Sequence, residues 1–421
     1  MENEAIAAMN DVVSGERTRR IGLLSVSAIP DDPRVRRQGD LFHARGWDVV
    51  AVGLPGGRSP PPQWPCLAID DNPAPPARRG VARVRRARDL ALVYANPGHA
   101  DATYWTLNER FAKIHVLAGK HRADIWLAND WTALPIARRL AAAQGVPYAY
   151  DTHELAVDEY AHRLRWRLLQ RPVISAVECQ GIAGASVTSC VSQGIADRLH
   201  DLYRLPAKPL LIRNMPHYEP HPYRPCGDRV EVLYHGVVNV GRGLEACIDS
   251  VGSWRPEFRL TIRGPGPADY IQALGARIEA AGLGDRVVLA PSVPMIDLVK
   301  EAARFDVGLF ALPGHSQQNV HVLPNKFFEY TMAGLALCVS DLPEMTALLQ
   351  QHDLGRLIPE VTPQAIADAI NGFDRSTIEV CKAHSLEAAK VLNWEAEADR
   401  LFAAIEQAVR AAEAAPRHAA Q

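Results

Sequence analysis

Residues 323–334 read Leu-Pro-Asn-Lys-Phe-Phe-Glu-Tyr-Thr-Met-Ala-Gly, and this stretch is the most informative one for the fold. Pro324 suits the first turn of a helix, where its missing N–H costs nothing, and Gly334 suits the end of a helix. The apolar residues 337–340 that follow are typical of a buried strand. The stretch therefore predicts a helix over residues 325–333 that leads directly into a strand.

The same alternation of short β-branched runs and helical patterns extends in both directions along the chain. Strands are predicted at residues 21–26, 48–52, 125–128, 148–150, 186–190 and 210–212, and again at 230–234, 259–263, 287–289, 307–310, 337–340 and 356–358. Alternation at this spacing produces parallel sheets with right-handed crossovers. The predicted fold class is therefore α/β, with two Rossmann-like parallel-sheet domains whose functional loops face a shared cleft.

The domain organisation follows from the length of 421 residues and from one proline-rich stretch. We expect an N-terminal domain over 1–214, a linker over 215–227, a C-terminal domain over 228–385 and a helical segment over 386–421. The last helix, near 395–412, either stays on the surface or crosses back to brace the first domain. Residues 55–79, dense in Pro and Gly, are predicted to form an irregular surface segment.

Composition excludes several classes of protein. With 46 Lys and Arg against 48 Asp and Glu, the net charge of -2 provides no basic field, so no nucleic-acid partner is expected. The seven cysteines are scattered without metal-ligand spacing, which predicts neither a disulfide framework nor a zinc site. The polar N-terminus has no signal-peptide pattern, and no apolar run is long enough for a membrane span. We therefore expect a cytoplasmic protein.

The start of the predicted helix at residue 325 has the chemistry of an anion site. Free backbone N–H groups and the helix dipole favour negative charge there, and Lys326 next to Asn325 adds a full positive charge. Glu329 lies one turn further on and is suited to accept hydrogen bonds from a ribose diol. A surface helix with an ordinary Lys–Glu pair would have the same local sequence, so the residues alone leave both interpretations open.

Two segments of the second half resemble one known family. Residues 323–345, LPNKFFEYTMAGLALCVSDLPEM, resemble the donor-binding segment of retaining GT-B glycosyltransferases of family four, in its Pro-Asn-Lys variant. Residues 234–245, YHGVVNVGRGLE, are similar to the first loop of that family's C-terminal domain. There Gly236, Gly241 and Gly243 permit close approach of backbone to a ligand, and Arg242 can bind phosphate oxygens with its forked guanidinium.

Segments of the first half carry the same resemblance. Residues 32–37, Asp-Pro-Arg-Val-Arg-Arg, resemble the opening of a subset of the family, and Arg34 and Arg37 share one helix face that could line the cleft. Residues 150–154, Tyr-Asp-Thr-His-Glu, match a family motif that places His153 close to the donor sugar. Ser192 in the Val-Ser-Gln-Gly motif is expected to cap a helix.

The resemblance implies a GT-B architecture and the transfer of a sugar, with retention, from a nucleotide-diphosphate sugar. A UDP- or GDP-linked donor is expected, with a glycan, a lipid-linked molecule or a small molecule as acceptor, in cell-surface polysaccharide or glycoconjugate synthesis. No cofactor and no obligatory metal are expected, and no DxD motif stands where a metal clamp would lie. The expected site comprises catalytic His153, Arg242 and Lys326; donor-binding Gly236, Gly241, Gly243, Arg263, Val322, Leu323, Pro324, Asn325 and Glu329; and acceptor-binding Arg34, Arg37 and Asp130.

The sequence departs from the family pattern at two places. Many members have a pair of glutamates in the donor segment, and His321 occupies the position of the first, which leaves the sugar hydroxyls to residues 319–323. A second basic residue in the first C-domain loop has no counterpart, since Val237 lies nearest to its position. Two alternatives to a transferase therefore stay open: a sugar-nucleotide epimerase of the same fold, and a catalytically silent nucleotide-sugar-binding subunit.

Two basic clusters in the first half bear on membrane association. They are residues 78–88, RRGVARVRRAR, and residues 162–171, HRLRWRLLQR. The second mixes Arg with Leu and Trp at helical spacing, as a helix on an anionic bilayer would. A helix that covers the cleft has the same pattern. Peripheral association with the inner face of the membrane is therefore one of two expectations.

Overall fold

The structure, a computed structural model, describes residues 17–72 and 88–415 and contains two parallel β-sheets. The first sheet has the strand order β3-β2-β1-β4-β5-β6-β7. Its strands are β1 Arg20–Leu24, β2 Asp48–Gly53, β3 Cys66–Ala68, β4 Ile125–Asn129, β5 Tyr148–Thr152, β6 Val187–Cys190 and β7 Leu210–Leu211. The central strands β4 and β5 are buried along their whole length, which explains their continuous apolar character.

Helices cover both faces of this first sheet. They are α1 Pro33–Ala44, α2 Ala100–Leu107, α3 Glu109–Ala118, α4 Leu134–Gln144, α5 Leu164–Leu169, α6 Arg171–Ile182 and α7 Gln193–Tyr203. Asp32 begins α1, because its side chain accepts hydrogen bonds from the backbone N–H groups of Arg34 and Val35. Ser192 caps α7 in the same way through the N–H of Ile195.

The second sheet has the strand order β10-β9-β8-β11-β12-β13. Its strands are β8 Val230–His235, β9 Phe258–Arg263, β10 Val287–Ala290, β11 Val307–Phe310, β12 Ala336–Ser340 and β13 Gly355–Ile358. The helices around it are α8 Leu244–Ser250, α9 Ala268–Ala280, α10 Leu298–Ala302, α11 Gln317–Val320, α12 Asn325–Met332, α13 Pro343–His352, α14 Pro363–Asn371 and α15 Arg375–Ala389. Helix α12 and strand β12 are the pair that residues 323–340 predicted.

The last helix, α16 Trp394–Ala414, returns to the first sheet. Its buried residues Trp394, Leu401, Ile405 and Val409 belong to the same apolar cluster as Ile21 of β1. Of the two placements considered for this helix, the structure therefore has the one that braces the first half of the chain.

The predicted fold class is confirmed, since both sheets are parallel and covered by helices. The prediction for residues 55–79 was wrong in part, because this segment contains β3. Ala51 and Val52 of β2 pair with Cys66 and Leu67, so a three-residue edge strand extends the sheet. The segment was missed because it is too short to show a period and is surrounded by prolines.

Within the described ranges, no helix combines the length and the apolar character that crossing a membrane requires. Of the first basic cluster, residues 78–87 lie outside the described residues. The segment 215–227 contains no helix or strand among the described residues, and Arg224 joins it to the second sheet through an ion pair with Asp306, at 2.6 Å.

Candidate active site

A cleft of about 750 Å³ lies between the carboxyl ends of the two sheets. One wall comes from the loops after β1 and β5, and it includes Asp32, Arg34 and His153. The other wall comes from the loops after β8 and β9 and from the start of α12. Carboxyl-end crevices are the usual ligand sites of open α/β sheets, so the fold itself puts the candidate site here.

The N-terminal end of α12 borders this cleft. Pro324 occupies the position before the helix in an extended conformation, and Asn325 and Lys326 form its first turn. The N–H groups of a first helical turn have no acceptor within the helix, and they point out of its end. Together with the helix dipole they form a partial positive charge at the cleft wall.

Lys326 lies over two aromatic rings of the second sheet. Its Nζ is 4.3 Å from the ring centroid of Phe310 and 5.6 Å from that of Tyr234. Burial and the positive charge of Arg242 lower the pKa of Lys326 to about 8, while Glu329 acts in the opposite direction. An anionic ligand would offset the repulsion between the charges of Lys326 and Arg242, so the lysine is suited to bind phosphate oxygens.

Glu329 lies one turn along α12 and also lines the cleft. Its Oε2 is 2.8 Å from Nε2 of the buried His235, at the end of β8. Burial opposes ionisation, but the neighbouring His235, Lys326 and Arg37 keep the pKa of Glu329 below its usual value. The carboxylate is therefore an ionised acceptor held at the floor of the cleft, as the binding of a ribose diol would require.

Glycines bring the loops after β8 and β9 together. Gly236 has a φ of 121°, and a Cβ there would lie 3.1 Å from Nζ of Lys326. A Cβ on Gly264 would lie 1.7 Å from the carbonyl oxygen of Gly236, so no other residue fits. The N–H of Gly236 donates to the carbonyl of Arg263 at 3.1 Å. Backbone rather than side chains therefore forms this part of the wall beside Lys326.

The opposite wall is centred on His153, which follows β5. Its Nε2 is 3.0 Å from Oδ1 of Asn129, and its Nδ1 is 3.4 Å from Oδ2 of Asp130. Asp130 has a φ of 64°, and its carboxylate also accepts the backbone N–H of His153 at 3.0 Å. Burial would lower the pKa of His153, but the carboxylates of Asp130 and Asp151 raise it to about 9.

Eleven of the expected site residues line the cleft together. They are Arg34, His153, Gly236, Arg242, Arg263, Val322, Leu323, Pro324, Asn325, Lys326 and Glu329. Four others are outside the lining: Arg37, Asp130, Gly241 and Gly243. Arg37 is buried and donates to Asn214 at 2.7 Å, and a Cβ on Gly243 would lie 2.1 Å from the carbonyl oxygen of Ala311, so that glycine serves protein packing.

His321 is directed away from the cleft, against the first half of the chain. A Cβ on Gly194 would lie 2.1 Å from its Nδ1, and its carbonyl accepts the hydroxyl of Ser192 at 2.7 Å. Its side chain is outside the lining, whereas Val322 and Leu323 are part of it. The side-chain amide of Asn319 donates a hydrogen bond to the carbonyl of Pro313 at 2.7 Å, so this side chain is held by its own loop.

Several cleft residues were not expected from the sequence. Gln318 is buried, lines the cleft and accepts the N–H of Leu155 from the other half of the chain, at 2.5 Å. Arg58 reaches Ser292 across the cleft, at 2.6 Å. Poor hydration and the charges of Glu159 and Asp130 raise the pKa of Glu154 to about 7. The pairing of His235 with Glu329 was also missed, although the histidine lies within the quoted motif at 234–245.

In residues 17–72 and 88–415, no group of three or more His, Cys, Asp or Glu side chains is arranged to hold a metal ion. The positive charge that faces the cleft from the second half comes from Lys326, Arg242, Arg263 and the N-terminal end of α12.

Comparison with known families agrees with this geometry. Residues 32–214 match the model described as glycosyl transferase 4-like domain, and residues 229–373 match the model described as glycosyl transferases group 1. Together the two models cover most of the chain and meet at the proline-rich segment. The chain therefore belongs to the glycosyltransferases of the GT-B type.

Solved structures show the same fold over nearly the whole chain. Sucrose-phosphate synthase from Thermosynechococcus elongatus is 18% identical, with a TM-score of 0.71, and the match covers 93% of this chain and 100% of that one. Anabaena HepE in complex with UDP and glucose is 14% identical, with a TM-score of 0.68 and coverage of 92% and 100%. A glycosyltransferase from Rickettsia africae is 10% identical, with a TM-score of 0.65 and coverage of 94% and 100%. No curated protein sequence is significantly similar to the chain.

Proposed function

We propose that this glycosyltransferase binds a nucleotide-diphosphate sugar with its diphosphate at the start of α12 and transfers the sugar with retention of anomeric configuration. The observation that carries the proposal is the position of Lys326. One side of the cleft contains the ammonium group of Lys326, the N-terminal end of α12 and Arg242. Glu329 lies one helical turn further along α12. A diphosphate and a ribose are adjacent in such donors, as these groups are in the cleft.

The chemistry follows from where charge develops. As the bond between the anomeric carbon and the diphosphate oxygen breaks, the leaving nucleotide gains negative charge. Groups that are already oriented toward that charge lower the barrier, because they need little reorganisation during the reaction. Lys326 and Arg242 are such groups, and no obligatory metal is part of the proposal.

The proposed donor is UDP-linked, and a GDP-linked donor is the alternative. HepE, which shares the fold, was solved with UDP and glucose and with UDP-glucose. The acceptor is proposed to be a glycan, a lipid-linked molecule or a small molecule, bound from the wall that contains His153. Synthesis of a cell-surface polysaccharide or glycoconjugate is the proposed context.

The decisive variants are Lys326→Met and Arg242→Met, with Lys120→Met as the matched control on an exposed turn. Each variant removes one charged hydrogen-bond donor to the negative charge that develops on the leaving diphosphate. This loss is expected to reduce the rate of transfer by roughly 100-fold or more. Transfer can be followed as release of the nucleoside diphosphate from UDP- and GDP-sugars with a panel of acceptors. Wild-type rates in both cleft variants, with an unchanged circular dichroism spectrum, would contradict the proposal.

Incubation with the donor alone distinguishes the transferase from its two alternatives. A transferase hydrolyses the donor slowly and releases the sugar, whereas an epimerase returns an isomeric sugar nucleotide. A silent binding subunit does neither, although it is still stabilised by the donor. Product analysis by NMR therefore separates the three, and the anomeric configuration of a transfer product tests retention.

Helix α5 supports a further proposal, that the enzyme works on a membrane surface. Leu164 and Leu168 are 61% and 52% exposed on one face of the helix, and Arg163, Arg165 and Arg167 are exposed beside them. Exposed leucines flanked by arginines fit an anionic bilayer. Binding to vesicles that contain phosphatidylglycerol should weaken with salt and should decrease in a Leu164→Ser/Leu168→Ser variant. Equal binding by both proteins would contradict this proposal.

A further inference from the structure

A chain of buried polar side chains links the start of α1 to His153. It runs from Arg34 through Asp151, the residue of β5 that lies two positions before the histidine. Arg34 is 1% exposed and Asp151 is fully buried. Burial of a charged pair costs free energy unless hydrogen bonds compensate for the lost water. The hydrogen-bond partners of this pair therefore indicate its role.

The Asp151 carboxylate accepts hydrogen bonds from three side chains. Arg34 donates from Nε at 2.5 Å and from Nη2 at 2.6 Å. Gln38 donates at 2.7 Å, and the Ser189 hydroxyl at 2.6 Å. Both carboxylate oxygens are therefore held in place, and the guanidinium keeps the pKa of Asp151 far below its usual value despite complete burial.

His153 stands between two carboxylates. Oδ2 of Asp151 lies 3.5 Å from its Nε2, on the same side as Asn129, and Oδ2 of Asp130 lies 3.4 Å from its Nδ1. A neutral imidazole has one N–H, so it can donate at only one of these positions. Only the doubly protonated ring donates at both nitrogens, and in that state neither nitrogen can accept a proton from a substrate.

We propose that Arg34 is a positioning residue, which acts through Asp151 to hold His153 as a fixed cation in the cleft, so that His153 takes no part in proton transfer. Arg34 was expected from the sequence to contact the acceptor. Its Nε and Nη2 are bound to Asp151, and its Nη1 has no hydrogen-bond partner among the described residues. The inference rests on the proposed function, because it concerns how His153 meets the donor.

The charges around His153 come from the ends of β4 and β5 and from α1. Asp130 follows β4, Asp151 belongs to β5, Arg34 belongs to α1, and Glu154 is the next residue along the chain. Asp130 and Asp151 raise the pKa of the imidazole, and Arg34 lowers it. The result, a pKa of about 9, is consistent with a histidine that stays charged at neutral pH. Arg34 thus holds Asp151 in place, and the two carboxylates keep the imidazole ring protonated.

The direct test is an NMR titration of the full-length protein with nitrogen-15-labelled histidine. The His153 signals are assigned by their loss in His153→Gln. The proposal predicts that both ring nitrogens carry protons from pH 6 to pH 8, with and without UDP. A neutral tautomer of His153 at pH 7 would overturn it. This readout does not require activity and needs no variant of the buried pair.

Kinetics provide the second test, with Arg34→Met, Arg34→Lys and, as control on the same helix, Arg36→Met. Arg34→Met removes two of the donors to Asp151 and should lower kcat roughly 10- to 100-fold through misplacement of the ring. The KM for the donor should change less than about threefold, since the diphosphate site is on the other wall. Arg34→Lys should restore part of kcat, and Arg36→Met should match the wild type.

An unchanged kcat in a folded Arg34→Met variant would overturn the positioning role. If that variant does not fold, the pH profile of the wild type replaces it. A rate that depends on a group with an apparent pKa between 6 and 7, absent in His153→Gln, would show proton transfer and overturn the proposal. Stabilisation of the same samples by UDP-sugars is measured in parallel. Its absence would refute the proposed donor rather than this inference.

Discussion

Lys326 shows how one residue acquires its properties from surroundings that are distant in sequence. Its place at the start of a helix follows from Pro324, two residues before it. Its lowered pKa depends on burial and on the charge of Arg242, and residues distant in sequence provide both. A lysine in such a position is a weaker base than one in water, and it regains a full charge when an anion binds.

Donor affinity should therefore depend on pH above neutrality. The free enzyme loses the Lys326 proton around pH 8, and the protonated form is the one that attracts a diphosphate. The Kd for UDP should rise as pH increases from 7 to 9, and binding at pH 8.5 should take up protons. Calorimetry in buffers of different ionisation enthalpy measures both effects. In Lys326→Met the pH dependence over this range should disappear, and a wild-type Kd that is constant from pH 7 to 9 would contradict the assignment.

Individual residues also mark the limit of sequence-based prediction. Asn325, Lys326 and Glu329 were identified because they lie within one local motif. Gln318 and the pair His235–Glu329 were missed because their contacts join segments that only the folded chain brings together. Arg34 was placed on the correct face of its helix, but its partner Asp151 could not be inferred from spacing. Local chemistry was predictable, and pairing across the fold was not.

Among the elements, α12 and β12 followed from the sequence almost without error, because a proline and a glycine delimit the helix. Strand β3 was missed, since a three-residue edge strand leaves no period to detect.

Helix α6 contains a buried carboxylate that the sequence pattern did not indicate. Its Glu178 is fully buried and accepts the hydroxyls of Tyr150 from β5 and Tyr203 from α7, at 2.5 and 2.6 Å.

Glu178 should make stability depend on pH. Burial raises its pKa to about 7, whereas the unfolded chain has the ordinary value near 4.5. The native state then binds a proton that the unfolded state releases, so this group's contribution is fully present below pH 4.5 and is lost as pH rises toward 7. Glu178→Gln should be more stable than the wild type at pH 8, by at most about 3 kcal/mol, and the difference should shrink toward pH 5.

Urea unfolding at several pH values measures this difference. Glu387→Gln, on an exposed part of α15, serves as control because its carboxylate is solvated. A stability difference between Glu178→Gln and wild type that stays constant from pH 5 to 8 would show that Glu178 does not titrate in this range.

At the scale of the whole molecule, α16 joins the end of the chain to its beginning. The helix packs Leu401 and Ile405 onto the layer that contains Phe42 and Trp47. The sequence predicted a final helix and left its position open, because an Ala- and Glu-rich amphipathic pattern does not identify the surface that it covers. The two halves are thus connected through the proline-rich segment and also through this returning helix.

Leu401→Ala should therefore destabilise the first sheet although it lies near the end of the chain. Leu401 is fully buried, and a Leu→Ala change in a core costs roughly 2–5 kcal/mol. Hydrogen exchange should become faster in β1 and α1, while β11 and β12 of the second sheet keep their protection. Val391→Ala, at an exposed position, is the control. Faster exchange confined to the second sheet would contradict the observed packing.

The central claim is that the cleft binds a nucleotide-diphosphate sugar through the start of α12. The most direct measurement is calorimetric titration of the wild type and Lys326→Met with UDP-glucose, GDP-mannose, UDP and uridine. We predict that one of the two sugar nucleotides binds the wild type and that its Kd rises at least about tenfold in Lys326→Met, the effect of losing about 1.4 kcal/mol. Uridine, which lacks phosphate, should not distinguish the two proteins. Equal affinity of the wild type and the variant for every diphosphate ligand, or no binding of any of them to the wild type, would contradict the account.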